Sequence, residues 1–182
     1  MKRIWILCKW FLIIWGAISF VALISIGGCV FWELGPGNHP SDKPASNHDV
    51  RFVLNWCSLG DDRIETVVHS YISARSFTGD HLDGYAIRVS RLDASELVYD
   101  EMRGGWHRGD DLSGIAKDAV DFAAMWLNNN EMPWFPSIDE IRSPKMYVYI
   151  SRVTTAGTRI TSAQIIFANP DGKMIYYFSA KT

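Results

Sequence analysis

The chain has 182 residues, of which 48% are hydrophobic and 21% charged, a length and composition that suit one ordinary domain with additions and exclude disordered, collagen-like and disulfide-dense classes. Three of its 18 basic residues, Lys2, Arg3 and Lys9, precede Glu33 with no acid among them, which leaves fifteen against all 20 acidic residues in 33–182, a net charge of −5 there. Such a balance argues against nucleic acid or an anionic lipid surface as the main partner of that part, since both reward a basic face.

Residues 1–9 form a short basic leader to the next segment. From Trp10 to Trp32 no residue carries a charge, and twelve of the 23 are Leu, Ile, Val or Phe. At a rise of about 1.5 Å per residue a helix of this length spans roughly 34 Å, enough for a hydrocarbon core of about 30 Å with some tilt. Only Ser19 and Ser25 are polar, and a helical serine can bond back to a carbonyl one turn earlier. The spacing predicts a single membrane-spanning helix over 10–32. Lys2, Arg3 and Lys9 on one side and Glu33 on the other predict a cytoplasmic N-terminus and an extracytoplasmic remainder, periplasmic in a Gram-negative cell. Ile26-Gly27-Gly28-Cys29 resembles a bacterial lipobox, which implies the alternative of cleavage before Cys29 and lipidation of its sulfur. Against cleavage, the apolar run exceeds a usual signal-peptide core and continues through Val30-Phe31-Trp32.

Residues 33–49 read as a linker. Three of the seven prolines fall here, among glycine and polar residues that oppose helix and sheet. His39 and His48 in this stretch read as solvated. Residues 50–182 are long enough for one core. Val50 to Trp56 reads as a strand. Ser58 to Ser76 reads as a helix, with Ile64, Val67, Val68, Tyr71 and Ile72 at helical spacing and His69 at the margin of that face. Gly84 to Ser90 reads as a strand. Asp93 and Glu96 have the spacing of a capping box, with Leu92 and Leu97 as a hydrophobic staple, predicting a short helix to Glu101 ended by Gly104-Gly105. A third helix is expected over Asp111–Leu127, with Leu112, Ile115, Ala119, Phe122 and Trp126 on its inner face. Met146–Val153, Arg159–Ala168 and Met174–Ala180 read as strands, the last two joined by a hairpin turn at Asn169-Pro170-Asp171-Gly172. The expected architecture is α+β: a membrane helix, a linker, then about three helices on an antiparallel sheet that ends in a β-meander.

Candidate functional residues are few. No HExxH, GxSxG, P-loop, dinucleotide fingerprint or CxxC occurs, so no catalytic, cofactor or metal residues are assigned and no cofactor is expected. Cys8, Cys29 and Cys57 leave the domain one thiol, so no disulfide can form within it. Asp80, His81 and Asp83, together with His107 beside Asp110 and Asp111, have the chemistry for proton transfer or a divalent cation, but turns and helix caps use the same residues. Trp134 and Phe135, between Pro133 and Pro136, either present a rigid aromatic wedge to a partner or fold down over the core. The functional expectation is a membrane-tethered, non-catalytic binding or assembly module with another envelope protein as partner. A lipoprotein that binds a small ligand or inhibitor, and an acid–base or metal-assisted hydrolase, are the alternatives.

Overall fold

The computed structural model describes residues 2–34, 45–100, 104–129 and 131–182. The chain divides into two compact units, Met1–His39 with Arg75–Thr78, and Pro40–Ala74 with Gly79–Thr182. In the first, α1 runs over Lys2–Leu34. Its stretch Trp10–Gly28 is long and apolar enough to cross a membrane, and its large side chains are exposed all round, from Ile13 at 50% to Leu12 at 69%. A helix that is apolar on every side needs an apolar surrounding. Ser25 donates to the Val21 carbonyl at 2.9 Å, which satisfies its hydroxyl within the helix itself.

The second unit is mixed helix and antiparallel sheet. Its elements are α2 (Arg51–Trp56), β1 (Ile64–Ile72), β2 (His81–Val89), β3 (Tyr99–Asp100), β4 (Gly104–Arg108), α3 (Gly114–Leu127), α4 (Ile138–Ile141), β5 (Tyr147–Ala156), β6 (Arg159–Asn169) and β7 (Met174–Lys181). The strands lie in the order β1-β2-β7-β6-β5-β4, extended at one edge by the two-residue β3. The last three strands form the expected meander, and the β6–β7 turn is closed by the Asn169 side chain, which accepts from the Gly172 N–H at 3.1 Å.

Three expectations are corrected. Val50–Trp56 is no strand: Val50, Val53, Leu54 and Cys57 are buried, a spacing of three and four that belongs to α2. Ser58–Ser76 is no helix: a 3₁₀ turn at Asp61–Arg63 leads into β1, whose pairing with β2 slips twice, between Ile64 and Thr66 and between Val67 and His69. Each slip changes the side-chain alternation, so Ile64, Val67 and Ile72 reach one face at odd spacings that imitate a helix. The helix expected from Asp93 is a single 3₁₀ turn, Ala94–Glu96. Asp93 makes no side-chain cap, and the Glu96 carboxylate pairs with Arg63 instead. Glu101 lies outside the described residues. The helix expected from Asp111 begins three residues later, and its buried face is Ala116, Ala119, Val120, Phe122 and Ala123, leaving Ile115 half exposed. A capping box does occur, at Ser137 and Glu140, where it starts α4.

The sheet is covered on both faces. On the first, α3, α4 and the segment around Met132 and Phe135 pack over Leu82, Phe167, Phe178 and Ala180. On the second, α2 and the loops carrying Leu59, Leu92 and Leu97 pack over Tyr85, Ile87, Ile166, Ile175 and Tyr177. Ile165, Ile166, Phe167 and Ala168 of β6 are consecutive and fully buried, as expected of a strand with a layer on each side.

Gly109 locks the first layer to the sheet. Its N–H donates to the Met146 carbonyl at 2.7 Å, and a Cβ there would lie 2.0 Å from the Ile141 oxygen and 2.6 Å from that of Ser143. Backbone atoms at that distance cannot move aside singly. Gly109→Ala is expected to destabilise the domain by about 3 kcal/mol or more, the upper end of overpacking costs, as read from urea unfolding midpoints. A loss below about 0.5 kcal/mol would show that the loops separate freely.

Candidate functional site

The strand register decides which candidate residues meet. Adjacent strand residues point to opposite faces, and residues opposite each other across a pair share one. His81 and Asp83 both lie in β2 and share the second face, opposite Lys181 and Ser179 of β7. Asp83 and Gly84 are therefore mid-strand rather than a turn before one. Asp83 is 8% exposed and Ser179 2%, and they are the buried polar residues among those described. His81 Nε2 lies 3.0 Å from Ser179 Oγ, and Nδ1 lies 3.0 Å from the Gly79 carbonyl. A carbonyl can only accept, so Nδ1 carries a proton and donates to Gly79, while Nε2 is within hydrogen-bond distance of the Ser179 hydroxyl. Asp80 precedes β2 in the connecting loop.

His107 does not join this group. It pairs with Val148 across β4 and β5, which places it on the first face, whereas His81 is on the second. Four strand steps separate β4 from β2, about 19 Å at the usual spacing. Burial holds the His107 imidazole below its ordinary pKa, against the opposing pull of Asp111. Asp110 is occupied by Arg108, with Nε and Nη2 on its two oxygens at 2.5 and 2.7 Å, and this pairing holds its carboxyl below the usual range. Among the described residues no three of His, Cys, Asp and Glu gather as they would to hold a metal ion.

Cys57 is buried, with its thiol against the Val53 and Leu54 carbonyls at 3.3 and 3.4 Å, and burial pushes its pKa up to about 12. A thiol so placed is protonated and unreactive at neutral pH. His48 is exposed beside a shallow hollow lined by Arg51, Asp61 and Asp62, while His39 lies outside the described residues. Cys29 lies within α1.

The second candidate, at Trp134 and Phe135, is a shaped site. The chain leaving α3 turns back over the first face: Tyr71 of β1 bonds Glu131, Met132 packs on Gly84, and the Trp134 ring stacks on His69 at 5.2 Å and 18°. With no side chain at Gly84, Met132 packs directly on the strand: a Cβ there would lie 2.3 Å from Met132 Sδ. Phe135 is 8% exposed and meets Phe167, Phe178 and Tyr176 with ring centroids 5.5–6.4 Å apart. The two rings thus part company. Phe135 folds down into the core, and Trp134 stays half-buried at the surface.

Where they part, a cleft of about 490 Å³ opens. Pro133, Trp134, Pro136 and the half-buried Tyr176 line it together with the exposed Glu140, Lys145 and Asp171. Glu140 accepts from both the N–H and the hydroxyl of Ser137 at 2.8 Å, which keeps its carboxyl ionised well below the usual range. Burial, then the Glu140 charge, raises the Tyr176 phenol, so it stays neutral and can both donate and accept. Tyr176, Glu140 and Asp171 were not among the sequence candidates. Their signals were a strand tyrosine, a short capping box inside an irregular stretch and a turn aspartate, each with an ordinary structural use.

Two measurements check this geometry. Phe135→Ala should cost about 3–5 kcal/mol in unfolding free energy, as for a buried aromatic ring, and Trp134→Ala at most about half of that; equal losses would place both rings in the core. For His107 the folded pKa is depressed, so on acidification the unfolded chain binds a proton that the folded chain refuses, and stability falls as pH drops below about 6.5. His107→Asn should therefore shrink the loss of stability between pH 7 and pH 5, and an unchanged loss would show that the folded imidazole titrates normally. No protein-family model, no curated protein and no solved structure matches this chain, so its own geometry is the ground on which function is proposed.

Proposed function

We propose that the protein is a membrane-tethered binding module of the cell envelope, with α1 as its anchor, the domain on the extracytoplasmic side, and the Trp134–Tyr176 cleft as the surface that receives a segment of another envelope protein. The observation that carries the reading is the cleft: a half-buried indole stacked on His69 and flanked in sequence by Pro133 and by Phe135-Pro136, in the same lining as the polar side chains of Glu140, Lys145, Asp171 and Tyr176, in an opening the size of ligand sites generally. Rigid aromatic rings next to satisfiable polar groups are what peptide-binding surfaces use, because they give contact area with little conformational entropy to lose. The basic residues before the apolar span support the orientation. The helix continues past Cys29 to Leu34, which supports a retained anchor over cleavage before that cysteine.

A hydrolase reading draws on one observation, the chain of Ser179, His81 and the Gly79 carbonyl. It requires a hydroxyl only 2% exposed to open to a substrate, and the cleft requires no such rearrangement.

A photoreactive amino acid in place of Lys145, in the cleft lining, tests the reading in intact membranes. It should capture one predominant membrane or envelope protein. Capture should be lost with Trp134→Ala and absent when the same group replaces Lys117, on the outer side of α3. Capture that ignores Trp134, or occurs equally from position 117, would sink the proposal.

A further inference from the structure

We infer that the cleft is built for a basic side chain, an arginine before a lysine, presented by the extended segment it binds. This rests on the reading just given and names the chemistry of its partner. The lining carries two carboxylates, Glu140 and Asp171, against one ammonium, Lys145. The acids come from different elements, α4 and the β6–β7 turn, and both are exposed in the cleft lining. Of the Glu140 carboxylate, Oε2 takes both bonds from Ser137 and Oε1 takes none among the described residues, so one ionised oxygen remains for a ligand. The same lining holds the Trp134 and Tyr176 rings, and aromatic faces attract a cation at about 6 Å or less.

A planar guanidinium suits this lining better than an ammonium. It can stack on an aromatic ring while its edge donates to a carboxylate, and it gives up hydration more readily. Charge at longer range acts in the same direction, since residues 33–182 carry a net −5 and draw in basic partners. An acidic or neutral segment would find Lys145 favourable but would leave two carboxylates unmatched.

The test uses full-length protein in mild detergent, labelled with 5-fluorotryptophan. The chain has eight tryptophans, and the Trp134 resonance is the one that Trp134→Phe removes. The probes are acetyl-Gly-Arg-Gly-amide, its lysine counterpart and its citrulline counterpart, which keeps the shape of arginine without the charge. The arginine peptide should shift the Trp134 resonance saturably, the lysine peptide more weakly, the citrulline peptide hardly at all, and added salt should weaken the binding. Glu140→Gln and Asp171→Asn should each weaken arginine binding about fivefold, and Lys145→Gln should strengthen it about twofold, consistent with partly exposed charge pairs. Glutamine also completes a capping box, so Glu140→Gln removes the charge and keeps the start of α4, which an unchanged melting temperature verifies. Equal shifts with arginine and citrulline, no shift at Trp134, or insensitivity to both acid substitutions would overturn the inference. If position 145 still captures a Trp134-dependent partner in membranes, the binding reading survives that result and only the basic side chain is withdrawn.

Discussion

The domain depends on one requirement: both faces of its central strands must be kept from water. Ile165, Phe167 and Phe178 point one way and Ile166, Ile175 and Tyr177 the other, so no single layer can cover the sheet. Each fully buried side chain of this size is worth about 1.5–3 kcal/mol over leaving it exposed, which makes the loss of either cover a large fraction of a domain's net stability. Two covers are therefore built from what the chain has left: α3, α4 and the turn at Met132–Phe135 on one face, the short α2 and several loops on the other. The cleft follows from this arrangement. A cover made partly of loop carries Phe135 down for packing and leaves Trp134 beside it at the surface.

The C-terminal meander was legible because its strands are long, rich in branched and aromatic residues, and separated by recognisable turns. The first part of the domain misled for a definite reason. Val50–Trp56 holds apolar residues at alternating positions and also at positions 50, 53, 54 and 57, so either period fits, and six or seven residues are too few to decide. The segment from Ile64 to Ile72 holds a helical spacing produced by two irregularities in strand pairing, which no local pattern discloses. Its composition was the better guide: Ile64, Thr66, Val67, Val68 and Ile72 are β-branched. A buried face with odd spacing and β-branched residues is more economically read as a strand with bulges.

The candidate sites were legible to different degrees for the same reason. His81 and Asp83 share a face because they are two apart on a strand, and that much is readable once a strand is assumed. Their neighbour Ser179 is 98 residues away from His81, and only the β2–β7 register brings it there. His107 looked like a companion because it also lay among acids and glycine, yet sequence resemblance between two loops carries no information about strand order. The Trp134–Phe135 pair was readable as aromatic and rigid. Which ring turns inward depends on Gly84, Met132 and Phe178, residues that a local reading has no cause to connect.

The contrast between the two parts of the chain supports separate surroundings for them. In the domain, large side chains are mostly buried, and its exposed ones, such as Val98, Ile115 and Met125, are scattered among charges. In α1 the pattern reverses: Trp10, Phe11, Leu12, Trp15, Phe20 and Leu23 are each at least 60% exposed, without a charged residue among them from Trp10 to Trp32. The apolar parts of both sheet faces have covers from within the domain itself. A bilayer supplies an apolar surrounding on all sides of a helix. The charges divide in the same way along the chain, with the basic residues before the apolar stretch and the net negative charge after it.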